Sequence, residues 1–131
     1  MIQDELTSKI LEACFEVSRE LGAGFLESVY EKSLLIALTQ KGLRAVGQVA
    51  LNVKFRGAIV GDFYADLVVE DRVLVELKAV SRTLPEHKAQ VINYLKATRL
   101  PVGLLVHFGN PKLEYYRLHG GNYPVDPVHP V

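Results

Sequence analysis

The segment from Asp66 to Lys78 constrains the fold most strongly, because it sets two carboxylates and a lysine in an otherwise apolar β-hairpin pattern. Successive side chains of a strand point to opposite faces, so Glu76 and Lys78 project from the same face. If residues 70–72 form a three-residue loop, Asp66 lies directly opposite Glu76, close enough for both to bind one cation. A two-residue loop would break this arrangement.

Charges at the centre of a hydrophobic hairpin need a physical explanation. Their desolvation costs on the order of several kcal/mol unless they are paired, hydrogen-bonded or bound to a metal. Carboxylate oxygens favour a hard divalent cation, so a metal site is one hypothesis. The alternative is a Glu–Lys ion pair on a solvated face, since antiparallel sheets often leave one face wet. The hairpin alone leaves both open.

The composition is that of a single neutral domain. The chain has 131 residues, 49% of them hydrophobic, and its 15 basic residues balance 15 acidic ones. A neutral protein has no overall positive field that attracts nucleic acid, so any such contact must come from a local basic surface. The single Cys14 excludes an internal disulfide and a cysteine zinc site, and its amphipathic helical surroundings indicate a core residue rather than a catalytic thiol.

The N-terminal segment has neither a basic region followed by an apolar stretch nor a cleavage site, and no uninterrupted apolar segment is long enough to cross a bilayer. A single cysteine also fits a reducing compartment. We therefore expect a cytoplasmic protein without a membrane partner.

Hydrophobic periodicity and turn residues predict the order helix, helix, three strands, helix, strand, strand. The expected helices cover Leu6–Leu21, Phe25 or Leu26 to Lys41, and Pro85–Thr98, and the expected strands cover 45–55, 59–69, 73–80, 102–108 and 113–118. The helix after the third strand allows the third and fourth strands to run parallel. The prediction is an α/β fold with a mixed sheet, one domain over residues 1–119, and an extended, proline-containing tail over 120–131.

Polar residues on two of the predicted helices are further site candidates. Glu27 heads a stripe continued by Tyr30 and Leu34, so we expect it to face the core and complete the acidic cluster. The alternative is a first-turn residue favoured by the helix dipole. Gln90 and Tyr94 lie one turn apart on one face, where an amide and a phenol can bind phosphate, although Tyr94 is also a candidate core residue.

Three other polar residues favour structural interpretations. His87 and Lys88 lie beside this helix face and can reach phosphate, but a solvated face is the favoured interpretation. His107 interrupts an apolar strand, which indicates a core histidine with satisfied hydrogen bonds rather than a ligand.

With these positions identified, the chain resembles the PD-(D/E)xK nuclease superfamily, and specifically the small bacterial proteins named for a Gly-x-x-Glu-x-x-Tyr motif. Over residues 5–118 the matching positions are Gly24, Glu27 and Tyr30 for that motif, Asp66, Glu76 and Lys78 for the superfamily signature, and Gln90 and Tyr94 for the Gln-x-x-x-Tyr element of the RecB-like branch. Ala65 stands where the signature has proline, which leaves the metal ligands intact. The resemblance implies a restriction-endonuclease-like αβββαβ core with a mixed central sheet flanked by helices, Mg2+ or Mn2+ as cofactor, and hydrolysis of nucleic-acid phosphodiester bonds.

The resemblance also implies a role for each residue. The expected metal ligands are Glu27, Asp66, Glu76 and the Leu77 carbonyl oxygen. Lys78 would orient or deprotonate the attacking water and stabilise the charge of the transition state. Gln90 and Tyr94 would position the backbone phosphate.

Three classes of function follow. The leading hypothesis is a metal-dependent nuclease whose partner is nucleic acid, DNA rather than RNA. Its rival is a non-catalytic binding module that retains the nuclease fold, and the third is an interaction protein whose hairpin charges form an ion-pair network. A homodimer is compatible with each.

Overall fold

The computed structural model describes residues 2–120. Within this range the chain forms three helices and five strands: α1 (Ile2–Leu21), α2 (Glu27–Gln40), β1 (Ala45–Phe55), β2 (Ala58–Val69), β3 (Val73–Lys78), α3 (Pro85–Thr98), β4 (Val102–His107) and β5 (Glu114–His119). The predicted order of elements is confirmed. The third strand ends at Lys78 rather than Val80, because the chain turns there toward α3.

The described strands form one sheet in the order β1-β2-β3-β4-β5. The β3–β4 pair is parallel and the other neighbours are antiparallel, as the crossover through α3 requires. Pairing of β2 with β3 runs over Leu67–Val69, whereas pairing of β2 with β1 extends to Ala58. Residues 49–65 of β1 and β2 therefore leave the sheet as a two-stranded ribbon.

Helices cover both faces of the sheet. On one face, α1 and α2 pack on a cluster that includes Val73, Val75 and Leu77 of β3. On the other face, α3 packs against a cluster that includes Leu74 and Leu105. The predicted mixed α/β architecture, with a restriction-endonuclease-like core flanked by helices, is confirmed.

A close approach of α3 to the sheet depends on Gly103 of β4. A Cβ atom at this position would lie 2.7 Å from Val91 Cγ1 and 3.1 Å from Leu95 Cδ1. Both side chains are fully buried. The absence of a side chain at residue 103 thus lets the helix that carries Gln90 and Tyr94 lie directly on the sheet.

Three expectations concern the C-terminal tail, membrane-spanning helices and the cysteine. The predicted extended tail lies outside the described residues, apart from Gly120, whose N–H donates to the Pro101 carbonyl at 2.8 Å. None of the described helices has the length and apolarity to cross a membrane. Cys14 is fully buried, and burial raises the pKa of its thiol to about 12, which agrees with a core role.

Candidate active site

The β2–β3 hairpin has the predicted three-residue loop. Val69 pairs with Val73, and residues 70–72 connect the strands. Glu70 and Asp71 adopt left-handed φ values of 54° and 53°, a backbone form that matches the twist of tight hairpins. Continuing this register by three residues along each strand places Asp66 opposite Glu76.

Asp66 and Glu76 interlock where the pairing of β2 and β3 ends. The Asp66 N–H donates to Glu76 Oε1 at 3.0 Å, and the Leu77 N–H donates to Asp66 Oδ2 at 2.8 Å. Each carboxylate thus takes a backbone donor of the opposing strand in place of a ladder hydrogen bond. These bonds fix both side chains at the point where the ribbon of β1 and β2 leaves the sheet.

At Asp66, β2 also switches which face of the strand packs on which side of the sheet. Ala65 and Leu67 are two residues apart and would share a face of a regular strand. Leu67 packs in the cluster under α1 and α2, however, whereas Ala65 packs in the cluster under α3. The strand therefore rotates about Asp66, which simple alternation did not predict.

The two carboxyls strongly affect each other. Glu76 is only 4% exposed, and burial followed by the charge of Asp66 raises its pKa to about 8. Burial also raises the pKa of Asp66, while the Leu77 N–H opposes this shift. The charge of Asp66 thus opposes ionisation of Glu76, as expected where like charges meet in a partly dry site.

Lys78 lies two residues beyond Glu76 and is half-buried. Its charge lowers the pKa of both Asp66 and Glu76, although less than burial raises them. Among the side chains that the structure describes, those of residues 5–120, its ammonium forms no direct ion pair or hydrogen bond. The lysine thus acts on the pair through its field and remains available for another contact.

The expectation that Glu27 faces the core is wrong, because its side chain is exposed. Glu27 is the first residue of α2, and the buried stripe of that helix begins one turn later at Tyr30. The charge of Glu27 still raises the pKa of Asp66, so the two side chains lie within electrostatic reach. Among the described residues, no group of three or more His, Cys, Asp or Glu side chains is arranged to hold a metal.

The turn before Glu27 explains the local Gly-x-x-Glu-x-x-Tyr spacing. Gly24 has φ 109°, a conformation that other residues rarely adopt. The fully buried Tyr30 stacks on Phe108 at 4.6 Å, and its hydroxyl donates to the Gly22 carbonyl at 2.7 Å. That hydroxyl also accepts the Phe25 N–H at 3.2 Å. The glycine and tyrosine therefore hold the turn that presents Glu27.

Gln90 and Tyr94 are joined as their helical spacing suggests, since Gln90 Nε2 donates to the Tyr94 hydroxyl at 3.1 Å. Tyr94 is only 7% exposed, and its ring belongs to the core under α3. Burial, and next the charge of Glu76, raises the pKa of its hydroxyl. The ring is thus a core element, while the hydroxyl lies near the carboxyl pair.

A groove of about 1050 Å3 separates the ribbon from α3. It is lined by Asn52, Val53, Lys54, Phe63, Glu86, Ala89, Gln90, Asn93, Tyr94, Lys96, Ala97 and Arg99. Asp66 and Glu76 are not among these lining residues, and Tyr94 connects the groove to them. The contribution of Phe63 and Lys54 is a feature that the sequence analysis missed.

The interpretation of the histidines needs a correction. His107 is fully buried as expected, but in the described structure neither ring nitrogen has a hydrogen-bond partner. The Glu114 carboxylate on the neighbouring strand β5 is 44% exposed, and its Oε2 lies 4.0 Å from His107 Nδ1, too far for a hydrogen bond. His87 Nδ1 accepts the Leu84 N–H at 3.1 Å, so it caps α3.

Comparison with known proteins now identifies the family. A model of the PD-(D/E)XK nuclease superfamily matches residues 4–118. The chain belongs to this superfamily. The finer assignment to the Gly-x-x-Glu-x-x-Tyr proteins stays a prediction.

A solved structure supports the fold of this PD-(D/E)XK protein. The structure titled "Crystal structure of SSO0001" superposes with a TM-score of 0.58 at 21% identity, covering 76% of this chain and 50% of that one. At this identity the likeness shows the fold alone. The chain spans half the length of that protein, and no curated protein matches it.

Proposed function

We propose that this chain is a divalent-metal-dependent nuclease that hydrolyses phosphodiester bonds, in DNA rather than RNA. The observation that carries the proposal is the interlocked pair of Asp66 and Glu76, two residues from Lys78 on β3 and near the Tyr94 hydroxyl of the groove. Membership of a nuclease superfamily supports it. The preference for DNA rests on the resemblance alone.

Asp66 and Glu76 have the chemistry that a hard cation requires. Two carboxyls held together by backbone hydrogen bonds, in a site where burial raises the pKa of both, would be stabilised in their charged form by a cation. The donor set is all oxygen, which suits Mg2+ or Mn2+ rather than a softer metal. The proposed ligands are Asp66, Glu76, the Leu77 carbonyl and Glu27, the last from its exposed position at the start of α2.

The bound cation would polarise the phosphate and lower the pKa of an attacking water. Lys78 supplies a positive charge on the same strand, where it orients that water and stabilises the negative charge that develops on the phosphate. Because the Tyr94 hydroxyl already accepts from Gln90, its own hydrogen is directed elsewhere and can donate to a phosphate oxygen. Gln90 and Tyr94 thereby position the substrate.

A second candidate is a non-catalytic binding module that retains the fold. The exposed Glu27 favours it, because the described acidic side chains do not form a three-carboxylate cluster. The half-buried Lys78 favours the nuclease instead, because its ammonium has no direct partner among the described side chains and remains available for a phosphate or a water.

The test is an assay of cleavage of labelled single-stranded and duplex DNA and RNA in the presence of Mg2+ or Mn2+. The same reaction with a chelator in place of the metal is the negative control. Asp66→Asn should abolish cleavage and metal affinity, because it removes a ligand. Lys78→Ala should abolish most cleavage and leave metal affinity nearly intact, because the lysine acts on water and phosphate. Asp62→Asn is the matched control, since Asp62 is an exposed aspartate on the same strand.

Metal binding by the wild type without cleavage of any substrate would favour the non-catalytic module. A Lys78→Ala protein that cleaves as fast as the wild type would contradict the role of that lysine.

A further inference from the structure

The groove between the ribbon and α3 differs chemically from the rest of this neutral protein. Its walls contain three cationic side chains, Lys54, Lys96 and Arg99, against one acidic side chain, Glu86. The whole chain has a formal net charge of zero, so this excess is local. A local excess of positive charge favours a polyanion in the groove.

An aromatic ring forms part of the ribbon wall. Phe63 is 42% exposed, and its ring centre lies 5.6 Å from that of Tyr94 at a tilt of 46°. A Cβ atom on Gly61 would lie 3.0 Å from Phe63 Cε2, so the glycine leaves room for the ring. An exposed phenyl ring held in place beside a tyrosine is a surface on which a planar group can stack.

The ribbon is irregular where it lines the groove. The register between β1 and β2 shifts between Val53 and Lys54, beside Gly61. Bulges of this kind re-aim side chains and are frequent beside active sites. The opposite wall is one face of α3, where small and amide side chains at three- and four-residue spacing keep the groove open: Ala89, Gln90, Asn93 and Ala97.

We propose that this groove binds the unpaired bases of a single-stranded nucleic acid, with Phe63 as the stacking platform, and leads the strand past Tyr94 to Asp66 and Glu76. The inference rests on the proposed nuclease function and specifies its substrate class. In a duplex the base faces are covered by their neighbours, so a ring in the wall of a groove can stack only on unpaired bases. Lys54 and Lys96 would contact the phosphates, and the amides would contact base edges.

The experiment measures binding rather than cleavage. Fluorescence anisotropy of labelled oligo(dT), oligo(U) and a duplex of equal length is recorded with the full chain in EDTA, so that neither metal binding nor hydrolysis contributes. We expect tighter binding of either single strand than of the duplex. Phe63→Ala should weaken single-strand binding about tenfold, because base–aromatic stacking contributes on the order of 1–3 kcal/mol per base.

Three further variants make the test specific. Phe55→Ala is the matched control, since Phe55 is a 59% exposed phenylalanine of β1 that does not line the groove, and it should bind as the wild type does. Phe63→Leu keeps the apolar bulk and should also weaken binding. Replacing Lys54 and Lys96 by glutamine should reduce the slope of log affinity against log salt by about 1.4, or about 0.7 for each phosphate that a lysine no longer neutralises.

Equal binding by the Phe63→Ala and Phe55→Ala proteins would overturn the proposal. Duplex binding as tight as single-strand binding, with the same loss in Phe63→Ala, would overturn it too. Failure of the nuclease function would be seen separately, as single-strand binding in EDTA without cleavage when Mg2+ or Mn2+ is added.

Discussion

Replacing Glu76 by glutamine should change how the stability of the protein depends on pH. Burial and the charge of Asp66 raise the pKa of Glu76 from its ordinary 4.5 to about 8. Between these values the folded protein keeps a proton that the unfolded chain releases. The free energy of unfolding therefore falls as pH rises through this window, and the loss is complete above the folded-state pKa.

The magnitude follows from the size of the shift. Each pH unit inside the window costs about 1.4 kcal/mol for one fully linked proton. Between pH 5 and pH 8 the wild type should therefore lose on the order of 2–4 kcal/mol at this site. Glu76→Gln cannot ionise and should escape this loss, so that it becomes more stable than the wild type near pH 8.

Urea unfolding at several pH values between 5 and 8 measures this difference directly. Glu20→Gln serves as the control, because Glu20 is an exposed glutamate of α1. Its stability relative to the wild type should not change with pH. A difference between Glu76→Gln and the wild type that is constant from pH 5 to pH 8 would refute the raised pKa of the buried Glu76 carboxyl.

Three other changes have expected results. Tyr30→Phe should lower the free energy of unfolding by about 1–2 kcal/mol in urea titration, because two hydrogen bonds of the turn before Glu27 are removed; no change would mean that the hydroxyl does not hold the turn. Gly109→Ala should destabilise by about 2 kcal/mol or more in the same assay, because the added Cβ would overlap the Val80 carbonyl oxygen; wild-type stability would contradict that close approach. Tyr94→Phe should lower the rate of cleavage and leave the affinity for Mn2+ unchanged by calorimetry, because the hydroxyl positions phosphate; a loss of metal affinity would make it part of the metal site instead.

The sequence predicted the hairpin well because its charges limit the possible registers. Only a loop over residues 70–72 brings Asp66 opposite Glu76, and this loop is present. The parallel β3–β4 pair was predictable for a similar reason, since a helix must cross between those strands. In both cases the rule is local or follows from connectivity.

Features that depend on tertiary contacts were not predictable in this way. Helical spacing predicted that Glu27 shares the buried face of Tyr30. Glu27 is exposed instead, because of the way α2 packs on the sheet. The sequence pattern of Phe63 is that of an ordinary strand residue. Its place in the groove wall depends on the departure of the ribbon from the sheet. An aromatic residue next to a glycine-containing bulge is the signal that could have identified it.

Calorimetric titration of Mn2+ at pH 7, in buffers of different ionisation enthalpy, tests the metal site at Asp66 and Glu76 most directly. The pair should bind Mn2+ and release about one proton for each cation, because the metal displaces the proton that the raised pKa of Glu76 retains at pH 7. Asp66→Asn should abolish this binding, and Asp62→Asn should not. Absence of binding by the wild type, or unchanged binding by Asp66→Asn, would contradict the assignment of these carboxylates as the metal site.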